Sequence, residues 1–336
     1  METKRASRPY WTAFLAMAAA LLLSIMVGSV PITPAEVWQA IKTGGETTAG
    51  TILGSLRLPR TILIAMTGAA LAGSGTAYQG LFRNPLADPY LIGVAAGAGL
   101  GAVAAMSLNW PYTTLGLLAV PLAAFAVGLL TVVIVYYLAR VGKALPASNL
   151  ILAGVAVSSF ATALTSFLML RADGELRRAL AWLLGGATMS GWQPVLAMLP
   201  YWLIGLGILL TLGHALNVLQ FGDEQAQQLG LPVTRVRWLV IAAASVTTAA
   251  AVSFAGIIGF VGLIVPHILR LRVGPDYRRL LPLSLVGGAA LLLAADVLAR
   301  VLIAPQELPV GIVTALAGAP FFLWILRRSR QASFWS

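Results

Sequence analysis

The chain has 336 residues, of which 59% are hydrophobic and only 10% charged, and its net charge is +11. A soluble domain carries about 25% charged residues, so this chain lacks the charge to coat a water-soluble particle, and lipid is the natural solvent for most of its surface. The absence of cysteine excludes disulfides, thiolate zinc sites, iron–sulfur clusters and cysteine nucleophiles, and the positive charge reads as membrane orientation rather than nucleic-acid binding.

A helix needs about 20 apolar residues to cross the hydrocarbon core, and only helices or closed barrels satisfy their backbone there. The apolar runs are long and continuous rather than alternating, which predicts helices. In chain order the expected spans are 11–30, 61–82, 91–108, 114–139, 147–170, 194–216, 236–255, 257–271, 282–303 and 309–326. Lys4, Arg5 and Arg8 ahead of the first run also fit a signal peptide. The run is long for one and more spans follow, so a retained first span is preferred. The division between the seventh and eighth spans, at Ala255–Gly256, decides between ten spans and nine.

Charge placement favours ten, with both termini inside. The inner segments then hold 15 of the 22 basic residues, and the outer segments hold Lys42, Arg57, Arg60, Arg171, Arg177, Arg178 and Arg300. This asymmetry agrees with the positive-inside rule.

Glycines crowd the second and third spans: Gly68, Gly73 and Gly75, then Gly93, Gly97, Gly99 and Gly101. Small residues let helix backbones approach closely; a pathway lining is compatible with the same pattern. Two segments outside the spans look ordered. Gly174–Leu184 is an expected short outer helix. In Asp223–Leu229, on the inner side, Asp223 is placed to cap the start, and Gly230 followed by Pro232 ends the helix. Ala226 and Leu229, three residues apart, are expected on one face. Such a helix either lies at the membrane surface or docks into a partner.

Chemistry is sparse. Gly142-Lys143 lacks both the upstream glycine and the following Ser/Thr of a P-loop. His214 and His267 are far apart, and no cluster has metal-ligand spacing. His267 reads as a local hydrogen-bonding residue. Asp296 is the clear intramembrane acid; Arg300, four residues on, explains it as an ion pair, against a proton relay. The loop from Phe82 to Pro89 is either an ordinary turn or a constriction at the inner mouth of a pathway.

These residues carry a resemblance. Leu56-Arg57-Leu58-Pro59-Arg60-Thr61, Asn84-Pro85-Leu86-Ala87-Asp88-Pro89, Leu152-Ala153-Gly154-Val155-Ala156 and Gln228-Leu229-Gly230-Leu231-Pro232 resemble the FecCD/vitamin B12-type permeases of ATP-binding-cassette importers. So do the run from Ser253 to His267 and Glu307-Leu308-Pro309-Val310-Gly311-Ile312-Val313-Thr314. The resemblance covers nearly the whole chain beyond the first span.

It implies an all-α polytopic membrane protein, residues 1–336 forming a single permease domain of about ten helices, in the cytoplasmic (inner) membrane. The expected assembly is a homodimer with two cytoplasmic ATPase subunits and a periplasmic or extracellular substrate-binding protein. No cofactor is expected in this chain; ATP and Mg belong to the partner ATPase. The resemblance makes residues 222–232 the ATPase coupling segment, with Asp223, Glu224, Ala226, Gln228, Leu229, Gly230 and Leu231 as its contacts. Arg57, Arg60 and Arg300 match outer arginines that meet acidic residues of the binding protein. Asn84 and Leu86 match an inner gate; Ala147 and Ser148 align with a second, where some relatives carry a hydroxyl in place of Ala147. The expected cargo is an iron complex, a ferric siderophore or haem, with cobalamin as the alternative. An ion-coupled transporter or a membrane enzyme is the rival reading.

Overall fold

The computed structural model describes all residues except 1, 29–31, 44–45, 109–113, 143–144, 172–175, 188, 190 and 334–336, and every element among the described residues is helical. The order is α1 (Glu2–Met26), α2 (Pro34–Lys42), α3 (Thr48–Ile52), a π-helical turn (Leu53–Arg57), α4 (Leu58–Leu81), α5 (Val94–Met106), α6 (Thr114–Ala139) and α7 (Ala147–Arg171). The second half is α8 (Leu176–Leu183), α9 (Gln193–Thr211), α10 (Gly213–Leu219), α11 (Asp223–Gln228), α12 (Val233–Ala255), α13 (Val261–Val273), α14 (Tyr277–Val301) and α15 (Val310–Ser333).

Helix α4 is the axis of the bundle, because its surface is built to be covered. Nearly every residue from Leu63 to Leu81 is buried. A side chain at Gly68 would collide with the backbone of Gly288 on α14, and one at Gly75 with Gly262 on α13. On α5, Gly97 and Gly101 stand against Thr131 and Ala123 of α6 in the same way. These glycines therefore serve close helix packing.

A helix stands at each expected run, and among the described residues six helices are long and apolar enough to cross a membrane. The differences have local causes. Helices α5 and α13 have 13 residues each, roughly 20 Å of rise, short of the ~30 Å core. Each adjoins a non-helical segment, residues 86–93 before α5 and 256–260 before α13, in which no residue is exposed, as unwound backbone at membrane depth requires. Tyr90 serves both. Its hydroxyl donates to Ile258 O (2.9 Å) and accepts from Ile258 N (3.2 Å), pairing the unwound backbone. The sixth run breaks at Leu212 into α9 and α10. The division expected at Ala255–Gly256 holds: α12 ends at Ala255, and Gly256 adopts φ 67°. The outer helix expected over 174–184 forms as α8; residue 174 lies outside the described residues.

Three elements had no counterpart among those expected from the sequence, α2, α3 and the π-helical turn. Helix α2 begins at a capping box: Thr33 N donates to Glu36 Oε2 (2.7 Å), and Glu36 N donates to Thr33 Oγ1 (3.3 Å).

Candidate functional site

The chemistry-bearing residues gather at the two ends of α4, a 24-residue helix about 36 Å long, and on the outward face of α7.

At the end expected to face the cytoplasm, α11 stands out from the bundle, with most of its residues exposed. Ala226 is fully buried and holds the helix to the core. Glu224, Gln228 and Gly230 are exposed and Leu231 is half-buried. Ala226 and Leu229, expected on one face, differ in burial: Leu229 is the C-cap, just past the end of the helix, and is 67% exposed. Phe221, just ahead of α11 and not singled out in the sequence, is 64% exposed. An aromatic residue just ahead of Gly222-Asp223 was the available signal. Asp223 is also not the cap. Gly222 takes that position with φ 102°, and the Asp223 carboxylate instead receives both Arg237 bonds at 2.7 Å. The helix stops as expected: Gly230 has φ 81°, and Leu231 N returns to Ala226 O at 3.0 Å.

The two expected gate segments lie at this same end. In the first, Asn84 Oδ1 accepts from Leu86 N (2.9 Å), fixing the turn; Asn84 is exposed and Leu86 half-buried. In the second, Ala147 and Ser148 open α7, half-buried and exposed respectively. A third inner cluster splints α10 to α14. Asn217 donates to Asp276 Oδ1 (2.6 Å) and accepts from Tyr277 N (2.8 Å), while Arg278 holds both Asp276 oxygens. The Arg278 bonds hold the Asp276 carboxyl well below the ordinary carboxylate range.

At the outer end, the three arginines are not free cations. Arg57 is 8% exposed and donates to Ile25 O (2.8 Å) and Met26 O (3.1 Å). Arg300 is 4% exposed and donates to Ser24 O (3.1 Å) and Val27 O (2.8 Å). Both therefore cap the carbonyl end of α1, whose own last turn carries no basic residue. Arg60 is more accessible and bridges Asp296 (2.8 Å) and Glu307 (2.7 Å). Asp296 is 0% exposed, with Arg300 Nε at 3.1 Å from its second oxygen. The intramembrane acid is thus clamped between two guanidinium groups.

Along α7 hydroxyls lie exposed among the apolar side chains. Ser159, Thr162 and Ser166, at helical spacing, lie exposed together with Val155, Phe160 and Phe167. With Asp88 and Tyr90 this polar stripe bounds an open groove of ≈ 680 Å³. The stripe was not singled out in the sequence, where its signal is hydroxyls at positions i, i+3 and i+7 of an apolar helix. His267 departs from its expected role: Nδ1 is buried with no hydrogen-bond partner, and the ring meets Phe321 edge-on at 6.4 Å. Among the described residues no three His, Asp or Glu side chains group as metal ligands.

A polytopic helical bundle with a short exposed helix at one end, a clamped charge cluster at the other and an open groove bearing hydroxyls along α7 fits a protein that passes solutes. The chain belongs to the FecCD transport family, whose model matches residues 16–328. It is a permease of the ATP-binding-cassette importer class, not an enzyme. It is 46% identical over 330 residues to the cobalamin import system permease BtuC of Halobacterium salinarum, covering 93% of this chain and 88% of that one. It is 38% identical over 320 residues to the Fe(3+) dicitrate permease FecD of Escherichia coli, covering 94% and 97%. It is 41% identical over 284 residues to the hemin permease HmuU of Yersinia pestis, covering 82% and 83%. Among solved structures, an inward-facing ABC transporter assigned to the metal-chelate type matches with a TM-score of 0.83 and 31% identity, over 96% of this chain and 99% of that one.

Proposed function

We propose that this chain is the membrane-spanning subunit of an importer that carries a metal–organic chelate inward by alternating access. The observation that carries the reading is the polar stripe of α7 facing an open groove on an otherwise apolar helix. Facing a second copy, two such stripes would enclose a weakly interacting polar path. The homodimer is part of this proposal, as are ten spans with both termini on the cytoplasmic side.

Two cytoplasmic ATPase subunits, which bind ATP and Mg, engage α11 through the exposed Leu229, with Glu224, Gln228 and Gly230 around it. Closure of the ATPases tilts the inner helix ends and alternates the gates at Asn84/Leu86 and Ala147/Ser148. A substrate-binding protein delivers the cargo at the outer face. Of the three outer arginines, Arg60 is positioned to share its charge with a partner carboxylate; Arg57 and Arg300 act by holding α1 beneath it. Such rim pairing gives orientation and on-rate more than affinity.

The relatives named for cobalamin, hemin and ferric dicitrate support a cargo of the metal–organic class. Their identities of 46%, 41% and 38% are close, so cobalamin stands beside the iron complex expected from the sequence. Uptake into vesicles holding the permease and its ATPase, with binding protein outside and the membrane potential collapsed, tests the proposal. ATP-dependent entry of labelled cyanocobalamin, a ferric siderophore or haem supports it. Entry that ignores ATP and disappears with the potential favours the ion-coupled rival.

A further inference from the structure

Asp223 was expected to be one of the contacts offered to the ATPase. Its carboxylate instead turns back toward the bundle and meets two arginines from different elements. Arg237, on the first turns of α12, gives it both oxygen contacts at 2.7 Å. Arg83, in the turn that follows α4, stands 3.9 Å away.

Each arginine leads to one gate segment. Arg237 also donates from Nη1 to Leu145 O at 3.3 Å, two residues before Ala147 opens α7. Arg83 precedes Asn84 directly and is held in a left-handed conformation, φ 51°. That conformation is uncommon for a residue with a side chain, so the turn is set by its surroundings. Gly222 makes room for it: a side chain there would come within 3.3 Å of the Arg83 guanidinium. One carboxylate at the start of the projecting helix is thus joined to the starts of both gate segments.

The two limbs differ in stiffness. Two charge-assisted bonds from one Arg237 nitrogen to a carboxylate, with Arg237 largely covered, make a directional link. The Arg83 contact is longer and more exposed, and such pairs contribute little on their own. The α7 limb is therefore firm and the α4–α5 limb compliant.

We propose that Asp223 is a positioning residue that transmits displacement of α11 to both inner gates, through Arg237 to the start of α7 and through Arg83 to the Asn84–Leu86 turn. The proposal rests on the ATP-driven reading above, and it moves Asp223 from the docking surface to the transmission.

The chain has no cysteine, so a single introduced thiol reports one place. Ser148→Cys and Leu86→Cys are made in the assembled, reconstituted transporter, and the rate of labelling by a water-soluble maleimide is read with and without ATP plus vanadate. Retention of the ATPase on the purified complex is measured in parallel. In the parent, nucleotide changes both labelling rates. With Asp223→Asn, and independently with Arg237→Gln, which lies off the exposed face of α11, the nucleotide-dependent change at residue 148 is lost while the ATPase stays bound. Asp223→Glu, which keeps the charge, restores part of it. Arg83→Gln abolishes the change at residue 86 only.

Variants that keep the full nucleotide response overturn the proposal. So do variants that shed the ATPase, since the pair would then only present α11 for docking. A parent whose labelling ignores nucleotide indicts the ATP-driven reading itself and is told apart by that control.

Discussion

Arg60 Nη2 lies 2.8 Å from Asp296 Oδ1, tying the first turn of α4 to the outer part of α14, while Nη1 of the same guanidinium reaches Glu307 at 2.7 Å. Arg300 approaches the other Asp296 oxygen at 3.1 Å. Removing one partner of a buried pair leaves an uncompensated charge and costs about 3–5 kcal/mol. Asp296→Ala should therefore lower the unfolding temperature of the detergent-solubilised permease sharply, as read by intrinsic tryptophan fluorescence. An unchanged melting curve, with uptake lost only when a proton gradient is imposed, would restore the proton-relay role to Asp296.

The three outer arginines should separate by function. Arg57→Met withdraws donors from Ile25 O and Met26 O, bonds to a charged group that contribute about 1.5–3 kcal/mol. It is expected to lower stability and leave capture of the binding protein by permease in nanodiscs largely intact. Arg60→Met is expected to weaken that capture. An Arg57→Met variant with normal melting and lost capture would reverse the assignment.

The helices were legible because apolar runs of spanning length have few other solutions in lipid, and Ala255–Gly256 marked a real break. What stayed hidden depended on neighbours distant in sequence. The resemblance assigned Arg57 and Arg300 to the binding protein, and nothing local shows that the carbonyl end of α1 lies against them. Ala226 and Leu229 were placed on one face by their spacing, but Ala226 is fully buried while Leu229, just past the end of α11 at Gln228, is 67% exposed. Asp223 looked like a cap because its partner Arg237 lies on the next helix. The α7 stripe and the Thr33/Glu36 capping box were readable from spacing alone, but in a chain dominated by apolar runs neither stood out.

Helix α4 meets α14 where Gly68 faces Gly288, with no space for a side chain on either. Overpacking a well-filled core costs typically about 1–3 kcal/mol, and here the obstacle is backbone that cannot rotate away. Gly68→Val should reduce the folded yield and lower the melting temperature, whereas Gly207→Val, where no atom lies within 4 Å of the added carbon, should do neither. Equal effects at both sites would show that the crossing is looser than its geometry.

Asp276 gives a pH prediction with a defined sign. Bonds from Arg278 and Asn217 hold its carboxyl below the ordinary carboxylate range. The unfolded chain therefore takes up a proton before the folded one does as pH falls, and the stabilisation is full above the ordinary carboxylate value. It is lost as pH falls toward the depressed folded value. Asp276→Asn should melt below the parent at neutral pH, and the gap should narrow on acidification below about 4. A gap that widens on acidification would contradict the bonding described for this carboxylate.

Leu229 is the sharpest test of where mechanical work enters. It is 67% exposed at the end of α11, and little among the described residues covers it. Its replacement should not disturb the fold, so Leu229→Asp should melt like the parent. In an ATPase groove the same side chain would be a central apolar anchor. Truncating such an anchor costs about 2 kcal/mol or more, roughly thirtyfold in affinity, and a buried carboxylate adds a desolvation penalty. The variant should therefore bind its ATPase at least that much more weakly and lose ATP-driven uptake, while still capturing the binding protein at the opposite end. A Leu229→Asp permease with normal ATPase affinity and normal uptake would place the docking contact elsewhere on the inner face.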